Sequence, residues 1–150
     1  MRVHNLLAAA LLAASISLLG AADGKDGAKG DVKVLEGEWE IVNVVRDGLE
    51  AGGGFRGGIT VIKGETFADI LEGKPTGGGT VKFDTSKKPP AIDLTYTTGP
   101  GKGTKRLGVY AANGDSLTIA LAAAGKDRPA KVESKPDSGV TLYEYRRKKD

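Results

Sequence analysis

The dominant pattern in this sequence is a two-residue alternation of apolar and polar side chains, which begins at Leu35 and continues almost to the C-terminus. Such alternation is typical of β-strands that bury one face. No segment after Ala22 carries the apolar spacing of an amphipathic helix. Short β-branched and aromatic runs, separated by Gly, Pro, Asn and Asp, predict about eight or nine strands. They cover residues 38–45, 58–63, 66–71, 79–84, 91–97, 105–112, 116–122, 129–133 and 140–146.

The connections between these runs are short and contain turn-forming residues. Asn113 and Gly114 form a strong hairpin signal because both tolerate positive φ, and residues 135–139 combine Pro, Asp, Ser and Gly in a turn. Strands joined in this way, without crossover helices, favour an antiparallel meander. A meander of eight or more strands commonly closes into a barrel, which removes exposed edges. The predicted fold class is therefore all-β, an antiparallel meander that closes into a barrel.

The alternation also predicts which side chains face the barrel interior. An eight-stranded barrel is just wide enough to be filled by side chains or to hold one small ligand. Two interpretations stay open, because the inward apolar residues either fill a solid core or line a cavity. The candidate cavity-lining or core residues are Trp39, Ile41, Phe67, Phe83, Leu94, Tyr96 and Leu107, and Val109 is placed inward by the same rule.

Residues 1–22 have the pattern of a cleavable secretory signal peptide. Arg2 supplies the basic start, residues 6–19 carry no charge, and small residues lead to Ala22 before Asp23. The apolar run is shorter than the ~20 residues of a membrane-spanning helix. We therefore expect cleavage after Ala22 rather than an uncleaved membrane anchor. The protein is then periplasmic or secreted, without a stable membrane anchor.

Composition divides the rest of the chain into three parts. Residues 23–34 are rich in Gly, Asp and Lys and too polar to form a core, which predicts a disordered leader. Residues 35–147 are expected to form one domain, because their length suits a single hydrophobic core. Residues 148–150 form a basic tail, and the whole basic block at residues 146–149 is interpreted as solvated.

Residue types exclude most catalytic and metal sites. The chain has no cysteine, and its single histidine, His4, lies in the signal segment. Thiol catalysis, Ser-His-Asp triads and zinc sites built on His or Cys are therefore excluded, and we expect no metal and no cofactor. Acid–base catalysis by carboxylates is the remaining enzymatic alternative.

The carboxylates are expected mostly on outward strand faces, so we predict that the protein is not an enzyme. Two of them, Asp84 and Asp93, are expected to hold turns or cross-strand hydrogen bonds. The other carboxylate candidates are Asp69, Glu72 and Glu144.

Charge and glycine content indicate no nucleic-acid partner. The chain has 22 basic and 19 acidic residues, a net charge of +3, mixed along its length. The Gly-rich residues 52–58 are interpreted as a loop at the barrel mouth, where they could gate a cavity. Residues 99–105 lack the Gly-Lys-Ser/Thr ending of a phosphate-binding loop and precede a strand, so an inter-strand turn is favoured.

Gly37-Glu38-Trp39, at the start of the first predicted strand, is similar to the Gly-x-Trp motif of lipocalins. In that family the Trp closes the base of the barrel and a basic residue of the last strand packs over it. The resemblance implies that Arg146 or Arg147 is this partner, in a cation–π contact.

A longer series of motifs resembles an uncharacterised secreted domain family of planctomycete bacteria. The resemblance covers residues 35–146 and implies a lipocalin-like fold and an exported bacterial setting, with no catalytic residues to transfer. The motifs occur in the order Leu35-Glu36-Gly37-x-Trp39, Phe83-Asp84-x-Ser86-Lys87-x-Pro89, Ile92-Asp93-Leu94, Gly99-Pro100-Gly101-Lys102-Gly103, Leu107-Gly108-x-Tyr110, Gly114-Asp115-x-Leu117, Arg128-Pro129 and Ser134-Lys135-Pro136-x-Ser138-Gly139.

Together these observations favour an exported binding module. Its partner is expected to be a small hydrophobic ligand in a barrel cavity or a cell-envelope protein at the loops, and the protein is expected to be a monomer. The alternative is a structural or interaction scaffold with a filled barrel and no ligand. The interior volume distinguishes the two.

Overall fold

The computed structural model describes residues 32–150. The predicted signal peptide at residues 1–22 lies outside the described residues, as does most of the predicted leader at residues 23–34. The described chain begins with a short helical turn and continues into nine strands, with one 3-10 helix (Gly53–Phe55) between the second and third. The strands are β1 (Gly37–Arg46), β2 (Leu49–Glu50), β3 (Ile59–Lys63), β4 (Thr66–Leu71), β5 (Lys74–Asp84), β6 (Ala91–Thr98), β7 (Lys105–Asn113), β8 (Ser116–Ala122) and β9 (Val140–Arg147).

The strands form one antiparallel sheet that closes on itself. From β3 to β9 each strand pairs with the next one in sequence, and β1 pairs with both β3 and β9. Strand β2 pairs only with the end of β1 and lies outside this ring of eight. The structure therefore confirms the predicted fold class, a lipocalin-like all-β barrel formed by an antiparallel meander.

Strand β5 begins at Lys74, well before the predicted start at residue 79. Pro75 and the glycines at 77–79 have low strand propensity, which explains the late predicted start. In the barrel, β4 supplies hydrogen-bonding partners along this segment, and irregular steps beside Asp69 and Gly78 accommodate it. Tertiary pairing thus overrides local propensity here.

One end of the barrel is closed by side chains packed around Trp39, and we call it the Trp39 end. Trp39 is fully buried, and its Nε1 donates a hydrogen bond to the carbonyl oxygen of Leu35 at 2.8 Å. The guanidinium of Arg147, in the last strand, lies over the indole ring. The predicted basic partner of the Trp is therefore confirmed as Arg147. Further buried side chains of the main core are Val81, Ile92 and Leu117.

Strand β7 presents the opposite face from the one predicted. Tyr110 packs in the main core, and Arg106 and Gly108 share its face because side chains alternate along a strand. Leu107 and Val109 point outward, so the prediction that they face the interior is wrong. Of the inward positions, Arg106 is charged and Gly108 has no side chain. The sequence of β7 therefore does not show which face is buried.

Residues 129–133 form no strand, contrary to prediction. They belong to the 123–139 loop, which connects β8 to β9. Strand β8 already pairs with β9, and β9 with β1, so the closed barrel offers no free edge to another strand. Pro129 also lacks the N–H that a ladder needs. The loop instead contributes Val132 to an outer apolar cluster with Val109, Ala120 and Val140.

Arg128 connects the 123–139 loop to the barrel wall through an ion pair and hydrogen bonds. Its Nη1 lies 2.7 Å from Oδ1 of Asp93 and donates to the carbonyl oxygens of Gly108 at 2.8 Å and Ile92 at 3.3 Å. Oδ1 of Asp93 is buried and has no hydrogen-bond partner of suitable geometry among the described residues. Its compensating contact is the ion pair with Arg128. The ion pair compensates for removing that oxygen from water.

The basic residues at 146–149 are largely exposed, as the sequence-based interpretation expects, except for Arg147, which is half-buried. The first two belong to β9, and each of the four forms an ion pair within 4.0 Å. The carboxylates that they contact are Glu40 for Arg146, Glu38 for Lys148, and Asp115 for both Arg147 and Lys149.

Candidate functional site

The half of the barrel away from the Trp39 end contains a cavity of about 210 Å³. Its walls come from the C-terminal part of β4, the N-terminal ends of β3 and β5, and the middle of β6 and β9, at the end where the 51–58 loop joins the barrel. Its walls are mostly apolar and aromatic. The lining residues are Ile41, Phe55, Gly58, Ile59, Thr60, Phe67, Asp69, Ile70, Leu71, Thr76, Leu94, Tyr96, Ile119, Leu121, Tyr143 and Tyr145.

A glycine in β5 allows two aromatic walls of the cavity to meet. Gly79 is the register partner of Phe67 in β4 and of Tyr96 in β6. Because Gly79 has no side chain, the two rings contact each other across β5, edge to face, with centroids 5.1 Å apart. A Cβ at Gly79 would lie 1.9 Å from the carbonyl oxygen of Thr95, so this approach of the strands requires glycine.

A second aromatic pair comes from β9. Tyr143 and Tyr145 are two residues apart, so both face the interior. Their rings are stacked at 23° with centroids 6.1 Å apart. The cavity therefore has aromatic walls contributed by β4, β6 and β9.

Asp69 is the one charged residue among those that line the cavity. Thr60, its partner across the β3–β4 pair, donates its hydroxyl to Oδ1 at 2.7 Å. Burial raises the pKa of the Asp69 carboxyl above its ordinary value, while the Thr60 hydrogen bond and the charge of Arg106 act in the opposite direction. Thr60 is also the hydrogen-bonding neighbour of Tyr145, whose hydroxyl pKa is raised by burial.

Arg106 supplies a positive charge that acts on Asp69, but its guanidinium forms hydrogen bonds with other groups. Its Nε donates to the carbonyl oxygen of Ala122 at 2.9 Å, and its Nη2 donates to that of Leu121 at 3.5 Å. It is also hydrogen-bonded to Tyr96. Burial, with a further contribution from the charge of Asp69, raises the pKa of the Tyr96 hydroxyl to about 12. Tyr96 is therefore a neutral hydrogen-bonding group at physiological pH.

The Gly-rich residues 52–58 lie at the cavity, at the position predicted for them. The 3-10 helix brings Phe55 to the cavity wall, although this ring is 42% exposed. The N–H of Gly57 donates to the carbonyl oxygen of Ile41 at 3.3 Å. The N–H of Ile41 donates to the carbonyl oxygen of Gly58 at 2.7 Å. These bonds attach the loop to β1 beside the irregular step after Ile41.

The predicted interior residues divide into three groups. Ile41, Phe67, Leu94 and Tyr96 line the cavity. Trp39 belongs to the packed core, and Phe83 packs against that core. Leu107 lies outside, beside an open surface hollow of about 650 Å³ that the 99–104 and 123–139 loops flank, and it does not reach the interior site.

The carboxylate candidates likewise separate in space. Asp84 accepts hydrogen bonds from the backbone N–H and hydroxyl of Ser86, which confirms its predicted turn role. Asp93 forms its ion pairs on the outer wall, and Glu72 is exposed in the β4–β5 turn. Only Asp69, against the general expectation, faces the cavity. Its two-residue spacing from Phe67 in β4 is the sequence signal that could have located it.

Two further observations concern the part of the chain from residue 32 onward. It contains no group of three or more His, Cys, Asp or Glu side chains that could hold a metal ion. None of its helices is long and apolar enough to cross a membrane.

Comparison with known proteins identifies no relative: no protein-family model, no curated protein and no solved structure matches this chain. The resemblance to the planctomycete family therefore stays a prediction.

Proposed function

We propose that this protein is an exported binding module that holds one small, mainly apolar molecule in the barrel cavity. The observation that carries the proposal is the space of about 210 Å³ inside the barrel, walled by aliphatic and aromatic side chains with a few polar groups among them. Such a combination is the usual form of a small-molecule site. The packed core around Trp39 closes the other end of the barrel.

The volume limits the ligand to a small one. Sites for drug-sized ligands enclose about 300–1,000 Å³, whereas an apolar cavity of about 150 Å³ is enough to hold benzene. A space of about 210 Å³ therefore suits one ring with a short substituent, or a short branched chain. A retinoid, a haem or a long-chain fatty acid would not fit inside.

The modest volume also supports the alternative role, a scaffold whose interior is essentially filled. Under that alternative the remaining space is a packing defect that binds nothing at physiological concentrations. Binding measurements with probes of the right size distinguish the two roles.

The test is an NMR titration of the protein with 2-phenylethanol, a neutral probe that fits the cavity. We expect saturable shifts of amide resonances around Leu94 and Ile119, because both side chains line the cavity. Leu94→Phe should abolish the shifts by filling the space, while Leu107→Phe, the same change on the outer wall, should preserve them. Urea unfolding of both variants checks that they fold.

Two results would support the scaffold instead. One is the absence of any saturable shift with 2-phenylethanol and with comparably small neutral compounds. The other is binding that Leu94→Phe leaves unchanged, because the probe would then bind outside the cavity.

Export is the second part of the proposal, and it is supported by the signal-peptide pattern of residues 1–22. The full chain, expressed in a bacterium with two membranes, should be recovered outside the cytoplasm with Asp23 as its first residue. Mass spectrometry of the purified protein measures this. Recovery of the uncleaved chain from the cytoplasm would contradict it.

A further inference from the structure

The cavity wall contains one carboxyl group, that of Asp69, and only one of its oxygens has a hydrogen-bond partner. Oδ1 of Asp69 accepts the Thr60 hydroxyl, whereas among the described residues no hydrogen bond or ion pair to Oδ2 is observed, and Oδ2 is not a buried atom, so it is open to a ligand. A half-buried carboxylate loses part of its hydration and gains from a further hydrogen bond or an opposite charge. One Thr hydroxyl compensates for only part of that loss.

The nearby cation does not neutralise Asp69 by direct contact. Arg106 is committed to the carbonyl oxygens of Leu121 and Ala122 and to Tyr96. No ion pair within 4.0 Å joins it to Asp69 in the described chain, and Arg106 does not line the cavity. The cavity therefore presents a carboxylate that the charge of Arg106 reaches only through space, without a direct ion pair.

The walls around Asp69 are suited to a positive charge. Phe67 and Tyr96 form one aromatic pair and Tyr143 and Tyr145 form another, and all four rings line the same space. The faces of aromatic rings attract cations, and the attraction is stronger away from water. A carboxylate combined with several aromatic walls is a site that recognises an ammonium group.

We propose that the cavity selects small organic amines, with the protonated amine on Asp69 and the hydrocarbon part against the apolar wall. This inference rests on the proposed binding function and names its ligand class. The hydrocarbon part would contact Leu94 and Ile119, which lie on the lining away from the carboxyl-bearing strand. The size limit then favours arylalkyl and short alkyl amines.

Protonation of Asp69 should also make amine binding depend on pH. Because burial raises the pKa of this carboxyl, acid converts it to the neutral form at a higher pH than an exposed Asp. The groups that face it are Thr60 from β3, Tyr96 from β6, Arg106 from β7, and Tyr143 and Tyr145 from β9. Burial raises the pKa of Tyr96 to about 12, and it raises that of Tyr145 as well, so neither titrates in this range. Amine binding should therefore weaken as the pH falls through the Asp69 transition, while binding of a neutral analogue should stay constant.

The experiment compares three probes of nearly equal size, 2-phenylethylamine, 2-phenylethanol and phenylacetate, by NMR titration at pH 7.5. We expect the amine to bind at least about tenfold more tightly than the alcohol, the gain typical of one charge-assisted contact. The anion should bind most weakly. In Asp69→Asn the amine should lose this advantage, while the affinity for the alcohol should change less than about threefold.

Asp84→Asn is the matched control, since it removes the same charge at an exposed turn remote from the cavity. It should leave the order of the three probes unchanged. Equal or tighter binding of the alcohol or of phenylacetate by the unmodified protein would overturn the amine inference and leave the cavity proposal standing. Failure of all three probes to bind would overturn both.

Discussion

The guanidinium carbon of Arg147 lies 4.2 Å from the centre of the Trp39 ring, and this contact joins the last strand of the barrel to the first. The same guanidinium donates through Nη1 to the carbonyl oxygen of Glu36 at 2.8 Å and through Nη2 to that of Val34. Gly37 has a φ of +126°, and a Cβ there would lie 2.8 Å from Nη1. The glycine of the Gly-x-Trp motif therefore makes room for the arginine.

Replacement of Arg147 should destabilise the barrel more than replacement of its neighbour. Arg147→Ala removes a cation–π contact, two hydrogen bonds and the ion pair with Asp115, for an expected loss of about 2 kcal/mol in the free energy of unfolding. Arg146→Ala removes an exposed ion pair with Glu40 and should cost about 0.5 kcal/mol or less. Urea denaturation measures both. Equal losses would contradict a special role for the Trp39 contact.

Arg147→Lys provides a finer comparison at the same position. Lysine keeps the positive charge but lacks the planar fork that reaches two carbonyl oxygens at once. We therefore expect a loss of stability between those of Arg147→Ala and the unmodified protein. Full stability in Arg147→Lys would show that charge alone is sufficient.

Two glycines of β5 should respond differently to alanine. Gly79→Ala places a Cβ 1.9 Å from the backbone oxygen of Thr95 and should cost about 3 kcal/mol or more, because the neighbouring strand must move. Gly77→Ala meets its nearest atom at 3.5 Å, an ordinary contact, and should change stability by less than about 1 kcal/mol. Thermal unfolding of both variants measures the difference. Similar stabilities would contradict the close approach of β5 to β6.

Asp69→Asn should stabilise the protein in a pH-dependent manner. Since burial raises the pKa of Asp69 in the folded state, this carboxyl destabilises the fold as the pH rises from its unfolded pKa through its folded pKa. The stability of Asp69→Asn relative to the unmodified protein should therefore increase with pH across that window and be constant above it. Urea denaturation at a series of pH values from acid to neutral measures the difference.

Asp84→Asn should give the opposite sign in the same experiment. Hydrogen bonds from Ser86 lower the pKa of Asp84, so the charged form contributes stability that is lost as the pH falls through the folded pKa. The Asn variant should be the less stable protein at neutral pH, and the difference should vanish in acid. A pH-independent difference in either variant would contradict the assigned cause.

Arg128 should couple energetically to Asp93. Arg128→Ala leaves a partly buried carboxylate with only Lys105 nearby, at 3.6 Å, and should cost about 2 kcal/mol. Adding Asp93→Asn to that variant should recover part of the loss, because the unpaired charge is then removed. Lys105→Ala, the exposed partner, should cost about 0.5 kcal/mol or less. Strict additivity in the Arg128 and Asp93 double-mutant cycle would show that the pair carries no coupling.

Local sequence determined the barrel class and much of its strand order. The predicted segments at 66–71 and 116–122 coincide with β4 and β8, because two-residue alternation and turn-forming residues act within a few positions of each other. Trp39 and its basic partner were also accessible from the sequence, through the Gly-x-Trp resemblance. Alternation placed Leu94 and Tyr96 on the same face, and both line the cavity.

Tertiary structure decided what that pattern left open. Closure of β1 onto β9 removed the free edge that residues 129–133 would have needed, so they became an outer loop. Arg106 and Gly108 occupy inward positions because neighbouring strands accommodate them, which no alternation rule anticipates. The cavity arises from side chains on different strands that fail to fill a shared space, beside a carboxyl group that the same strands partly bury. The cavity volume and the burial of Asp69 depend on residues that are far apart in the sequence. Alternation describes only residues that are close together in the sequence.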